Sequence, residues 1–264
     1  MYFFLGNLSC LEICYSSTIL PRLLASLLTG DRAVSVPGCI VQLYLFGSLA
    51  GTECCLLSVM CYDRYLAICK PLHYAALMNG RLCLQLEAGL WIGGFLFVSI
   101  FVFLMSQLTF CGPSEIDHFF CDFRPIIKLS CTDTHMVEIT SFMSSSLFTL
   151  PPFLLTLASY VCIISSILRI PSTTGRKKAF STCSSHLIVV TIFYGTLIMV
   201  YLVSDVYVVP TANTPKALHR TFSVFYIVLT PLINPVICCL RNKEVQESLR
   251  KGTRKVVAFR KQLA

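Results

Sequence analysis

Three sets of residues in this sequence have the types and spacing to do chemistry. Asp63 and Arg64 stand side by side, followed by Tyr65, at the end of a long apolar run. In a partly desolvated setting each charge stabilises the other, and the arginine can be released to a partner when helices move. Glu53 sits alone within that same run and Glu12 within an earlier one, where an unpaired carboxylate is expensive and usually marks function. Cys39, Cys111, Cys121 and Cys131 stand apart from the remaining cysteines, which lie inside apolar stretches where a thiol behaves as a small hydrophobe. The sequence has no nucleophile–base constellation, no phosphate loop and no HExxH-type pair, so an enzyme is not expected.

The elements that position these residues follow from composition. The 264 residues are 55% hydrophobic and 13% charged, with mean hydropathy +0.74, outside the balance of a soluble domain. Stretches free or nearly free of charge cover residues 1–21, 34–60, 82–108, 139–168, 179–204 and 221–240. Each reaches the roughly 20 residues that cross a bilayer. Strand-like alternation is absent, and backbone groups in lipid must be satisfied within their own segment, so six helical spans are predicted. The chain opens on an apolar run without a basic leader or cleavage site, so that run is expected to stay in the protein. Pro21, Pro151, Pro152, Pro231 and Pro235 are expected to kink or end helices.

Most of the 21 Lys and Arg residues fall on one side of a six-span arrangement, including Arg64, Lys70, Arg81, Arg176, Lys177, Lys178 and the tail from Arg241 onward. Arg22, Arg32, Arg124, Lys128, Lys216 and Arg220 fall on the other. The basic side is expected to be cytoplasmic, with both termini on it. The net charge of +8 then faces anionic lipid and needs no nucleic-acid partner. Residues 1–240 form one membrane domain. Residues 241–264 form a cytoplasmic tail in which Val245, Leu249 and Val256 among basic residues predict a short amphipathic helix on the membrane surface.

The four separate cysteines fall on the opposite side, where an oxidising exterior and an even count favour two disulfides in any of three pairings. A metal site at His118, Cys121, Asp122 and His135 is the competing idea. It is disfavoured because a disulfide-bonded sulfur is not available as a thiolate ligand. From Cys39 to Arg64 is 25 residues, about 37 Å of helix at 1.5 Å per residue, so the two mark opposite faces of the bilayer.

The run Met60-Cys61-Tyr62-Asp63-Arg64-Tyr65-Leu66-Ala67-Ile68-Cys69-Lys70-Pro71-Leu72-His73-Tyr74 resembles the signature of odorant receptors, a branch of the rhodopsin-like G-protein-coupled receptors. Residues 1–9 look like the start of that family's second helix and residues 178–186 like the start of its sixth. Pro231-Leu232-Ile233-Asn234-Pro235 and residues 240–245 look like the end of its seventh helix and the segment after it. The resemblance implies an all-α membrane protein, a rhodopsin-like seven-helix bundle of which the second to seventh helices are present. It implies detection of small organic molecules and activation of a heterotrimeric G protein of the stimulatory olfactory type at the plasma membrane. It selects the pairing Cys39–Cys121 and Cys111–Cys131. It gives Asp63, Arg64 and Tyr65 to G-protein coupling, and Tyr160, His186, Asn234 and Pro235 to activation contacts. Cys238 departs from the pattern, because it stands where the family's Asn-Pro-x-x-Tyr motif places tyrosine.

By the same resemblance Glu12 and Glu53 align with an acidic pair that holds a sodium ion, for which hard oxygen ligands are suited. The alternative is a protonated, hydrogen-bonded carboxyl. No other cofactor is implied. Glu87 is read as an interfacial surface residue. Phe46, Gly47, Ala50 and Gly51 recur at helical spacing on the second span. With Ser144, Ser145 and Phe148 on the fourth, Ile198 and Tyr201 on the fifth, and Val224 and Ile227 on the sixth, they outline a mainly apolar ligand cavity. Core packing is the plain alternative for each residue. A transporter would call for inverted repeats or polar stripes, and neither is seen. The rival function is a truncated, non-signalling receptor product retained inside the cell, expected if the family's first helix is missing.

Overall fold

Apolar stretches in a bilayer become helices because each backbone group must find its partner within its own segment. The computed structural model describes residues 2–29, 33–111, 115–117, 121, 123–127, 129–206 and 234. The chain divides into two compact units, Met1–Pro171 and Ser172–Ala264.

The first unit holds α1 (Tyr2–Thr29), α2 (Val36–Cys69), α3 (Pro71–Leu77), α4 (Gly80–Ser106), α5 (Phe123–Ile127) and α6 (His135–Leu168). Of these, α1, α2, α4 and α6 are long and apolar enough to cross a membrane. The second unit holds α7 (Thr173–Val206), which would be a fifth span if its two arms, bent by 43° between Ser181 and Cys183, count as one. The sixth stretch apart from Asn234, including Val224, Ile227, Pro231, Pro235 and Cys238, lies outside the described residues, as does the amphipathic tail.

Local chemistry sets the helix ends. The Ser35 hydroxyl accepts from the Gly38 amide at 3.3 Å ahead of α2, and the Asn79 side chain accepts from the Leu82 amide at 2.8 Å ahead of α4. Each satisfies a donor that the first helical turn leaves unpaired. Within the spans, Ser and Thr hydroxyls donate to carbonyls one turn back, as Thr18 does to Cys14 at 2.9 Å and Thr52 to Ser48 at 2.8 Å. Lipid offers no water, and this back-bonding satisfies the hydroxyl. Helices α1 and α6 continue through Pro21, Pro151 and Pro152.

Packing centres on α2, whose buried residues run from Val36 to Leu66 around much of its circumference. One face of α1, formed by Phe4, Leu8, Leu11, Glu12, Tyr15 and Ile19, is buried at helical spacing. The Tyr15 and Phe46 rings lie 5.0 Å apart, and Gln42 Nε2 donates to the Thr18 carbonyl at 3.4 Å, so α1 and α2 run antiparallel. Helix α4 closes on α2 through Gly94, and Ser99 Oγ donates to the Tyr44 hydroxyl at 3.3 Å. The Phe148 ring of α6 meets Phe97 of α4 edge-on at 4.7 Å. In the second unit Cys183, His186, Val190 and Phe193 form one buried stripe on α7.

At one end of the bundle, Val36, Cys39, Leu43, Phe101, Met105, Cys121, Ile126 and Val137 form a buried apolar cluster drawn from α2, α4, α5 and α6. Two features there go beyond the predicted all-helical pattern. Strand β1 (Ala33–Ser35) pairs antiparallel with β2 (Glu115–Asp117), and Phe110 bridges Ser130. Three-residue ladders are too short to leave a period-two signature in sequence.

Candidate functional site

Helix α2 carries a different chemistry at each end. At its start, Cys39 is bonded to Cys121 with Cα atoms 5.1 Å apart, and Cys111 is bonded to Cys131 with Cα atoms 5.8 Å apart. These are the pairs that the resemblance selects. The Cys111 amide donates to the Leu129 carbonyl at 3.1 Å and the Cys131 amide to Thr109 at 2.9 Å, so backbone and sulfur tie the same hairpin. Among the described residues no group of three or more His, Cys, Asp or Glu side chains is placed to hold a metal ion. His118 and Asp122 lie outside them, and His135 is exposed.

At the other end of α2, Asp63 is 1% exposed, while Arg64 and Tyr65 are half-buried. The Tyr74 hydroxyl, on the short helix α3, donates to Asp63 Oδ1 at 3.1 Å. Burial foremost, then the charge and hydrogen bond of Asp63, hold that hydroxyl above the ordinary tyrosine range. It therefore remains a donor at neutral pH. Close by, Cys69 Sγ lies 3.1 Å from Ser166 Oγ and donates to the Cys162 carbonyl at 3.7 Å, joining the last turns of α2 and α6.

Glu12 and Glu53 are both buried, at 2% and 1% exposure. The α1–α2 register set by Tyr15–Phe46 and Thr18–Gln42 brings Glu12 level with Leu49 and Glu53 level with Leu8, an axial offset of about 6 Å. Side chains tilt toward the N-terminus of their own helix. In antiparallel neighbours that tilt brings the two carboxylates toward each other.

Glu87 departs from expectation. It is buried, and its Oε1 accepts from Trp91 Nε1 at 3.0 Å. Trp91 follows one turn later on the same face of α4 and supplies the donor that interfacial water was expected to supply. Because Trp91 is the sole tryptophan, Glu87→Leu is expected to shift the intrinsic fluorescence maximum of the purified protein to shorter wavelength. An unchanged spectrum would show that the indole N–H makes no such bond.

The residues outlined as a ligand cavity are only partly brought together. A Cβ at Gly47 would meet Val98 at 3.5 Å, and one at Gly51 would meet the Phe148 ring at 3.5 Å. The space over both glycines is thus filled by side chains of α4 and α6. Phe46 is buried against Tyr15, and Ala50 is half-buried. Ser144 donates its hydroxyl proton to the Thr140 carbonyl, which leaves it only acceptor capacity for a ligand. Ser145 is exposed, off the face that carries Ser144 and Phe148, and Ile198 is 40% exposed on α7. Tyr201 belongs to α7, but its side chain lies outside what the structure describes, as do Val224 and Ile227. Tyr160 is buried on α6 and His186 on α7, and Asn234 is buried as well.

Long apolar helices stacked on a central α2, with a disulfide-bonded hairpin at one end and an Asp-Arg-Tyr run at the other, define a multi-pass membrane protein of the G-protein-coupled receptor class. A family model described as olfactory receptor matches residues 1–255. The chain is 49% identical over 251 residues to olfactory receptor 6Z7 of Mus musculus, covering 95% of this chain and 78% of that one. It is 48% identical over 258 residues to olfactory receptor 6A2 of Homo sapiens, covering 94% and 76%. Over 260 residues it is 47% identical to olfactory receptor 226 of Rattus norvegicus, covering 95% and 76%. The chain belongs to the olfactory receptor family, and it is a receptor rather than an enzyme.

Proposed function

We propose that the chain binds small odorant molecules within its helix bundle and activates a heterotrimeric G protein of the stimulatory olfactory type, raising cyclic AMP. The observation that carries this reading is the buried Asp63 with Arg64 and Tyr65 at the end of α2 remote from the Cys39–Cys121 disulfide, in a chain of the olfactory receptor family. In this reading the helices are the second to seventh of a rhodopsin-like bundle, both termini are cytoplasmic, and the basic tail from residue 241 lies on anionic lipid as an amphipathic helix. Arg64 is the group released to the G protein when helices move. Tyr160, His186, Asn234 and Pro235 rearrange with it. The candidate ligand residues kept in this reading are Ala50 and Ser144 in the first unit, and Ile198, Tyr201, Val224 and Ile227 in the second. Purified receptor in lipid nanodiscs should speed nucleotide exchange on a stimulatory olfactory-type heterotrimer and leave an inhibitory-type heterotrimer unaffected. The reverse preference would overturn the assignment.

The same reading gives Glu12 and Glu53 to a sodium ion; it is supported by the burial of both carboxylates and by an α1–α2 register that sets them about one helical turn apart on neighbouring helices. The ion would supply the positive charge that lets two carboxylates stay ionised in an apolar bundle. Glu53→Ala is therefore expected to abolish the dependence of agonist potency on sodium concentration. A sodium response retained in full by that variant would remove the ion from the site.

A further inference from the structure

The two disulfides sit in opposite surroundings. Cys39 and Cys121 are 0% and 1% exposed within the apolar cluster, whereas Cys111 and Cys131 are both exposed. In thiol–disulfide exchange a thiolate must reach one sulfur of the bridge, so access decides which bridge reacts. The first bridge can be reached only when this end of the bundle opens. The second needs no opening. Its hairpin also has supports other than sulfur. The Cys111 amide donates to the Leu129 carbonyl, the Cys131 amide to Thr109, and the Thr109 amide to Thr132 Oγ1 at 3.3 Å. The Ser130 hydroxyl accepts from the Thr132 amide at 3.2 Å, and Phe110 and Leu129 pack against the buried cluster. Breaking the second bridge therefore leaves its two cysteines held close together by backbone and apolar contacts.

We propose that Cys111–Cys131 is a reversible acceptor site for small thiols. The thiolate of an incoming thiol bonds to the sulfur of one cysteine, and the Cys111–Cys131 bond breaks. The incoming sulfur is oxidised to the mixed disulfide. The other cysteine's sulfur is reduced: it leaves with the electron pair as a thiolate and takes a proton from water. The hairpin keeps that thiol beside the mixed disulfide, with the two Cα atoms 5.8 Å apart in the closed bridge. It expels the small thiol and restores the bridge once free thiol is withdrawn, because its effective concentration exceeds that of any thiol in solution. The chemistry rests on the exposure of the pair and on the hairpin; that the thiols come from outside the cell rests on the proposed orientation with both termini cytoplasmic.

The test starts from the full chain in nanodiscs, its accessible free thiols capped with N-ethylmaleimide and the reagent removed. Reduced glutathione is then added, and an isotopically distinct maleimide traps each sulfur released from a bridge for peptide mass spectrometry. Glutathione and the second label are expected on Cys111 and Cys131 at least about a hundredfold faster than on Cys39 and Cys121. Diluting glutathione away before trapping should restore the bridge and remove both marks. By hydrogen–deuterium exchange, the amides at positions 111 and 131 should stay protected during the reaction, and in the Cys111→Ser, Cys131→Ser double variant. No trapping at Cys111 and Cys131, or equal rates at the two bridges, would overturn the site. A hairpin that loses its amide protection, or an adduct that survives dilution, would overturn its reversibility. On intact cells the membrane-impermeant thiol mercaptoethanesulfonate should mark the same two cysteines. Marking in nanodiscs but not on cells that display the receptor would overturn the proposed orientation while upholding the exchange.

Discussion

Cys39→Ser, and equally Cys121→Ser, is expected to bring cell-surface receptor down to near background, with the protein retained inside the cell. The bond closes a ring of 82 residues. Chain-entropy reasoning puts the stabilisation from closing a ring of that length at about 4–5 kcal/mol, a large share of the 5–15 kcal/mol typical of a folded domain. Both sulfurs lie within the buried cluster of Val36, Leu43, Phe101, Met105, Ile126 and Val137. A serine there loses the bond and places an unpaired hydroxyl among apolar groups. Cys111→Ser should cost less, because its ring is 20 residues and Cys131 is exposed. Surface epitope counts on intact cells decide it; equal surface levels for wild type and Cys39→Ser would show that the first disulfide does not hold the fold.

Gly94→Ala is expected to destabilise the receptor by about 1–3 kcal/mol, as overpacking does elsewhere, and Gly94→Val by more. A Cβ at Gly94 would overlap Thr52 Oγ1 and stand 3.0 Å from the Ser48 carbonyl oxygen. The hydroxyl cannot swing clear without cost, because it donates to that same carbonyl. Either the bond breaks or α4 moves away from α2. Gly93→Ala, one residue earlier on the same helix, meets nothing within 4 Å. It should be neutral or stabilising by up to about 1 kcal/mol, from helix propensity alone. Melting temperatures of the two purified variants test the contrast. Equal shifts would mean that the close approach of α2 and α4 is not made at Gly94.

Apolar length and charge placement made the spans legible. The expected stretches at 34–60, 82–108 and 139–168 correspond to α2, α4 and α6, and α2 runs on through Asp63 and Arg64 to Cys69. What pattern alone did not carry was rotation. A helix apolar all round gives no period from which to read the face it turns to a neighbour. Gly51 therefore looked like room for a ligand, whereas Phe148 fills the space above it, and Ser145 looked equivalent to Ser144 while lying off its face. Glu87 was open to a better reading, since a tryptophan four residues on can donate to a carboxylate on the same helix face. Helix α3 gave only a faint signal, Pro71 at a helix start. The Tyr74–Asp63 bond that anchors it joins residues eleven apart across a break between helices, a separation no helical periodicity encodes.

Odorant-driven cyclic AMP is the most direct measurement of what the chain does. Cells supplying the stimulatory olfactory-type G protein would express the receptor with a surface epitope and meet a broad panel of small volatile organic molecules. The expected result is a saturable rise in cyclic AMP for at least one compound, absent in cells without the receptor and abolished by Arg64→Ala at matched surface level. A receptor present at the surface that raises cyclic AMP for no compound, or a response that Arg64→Ala leaves intact, would contradict it.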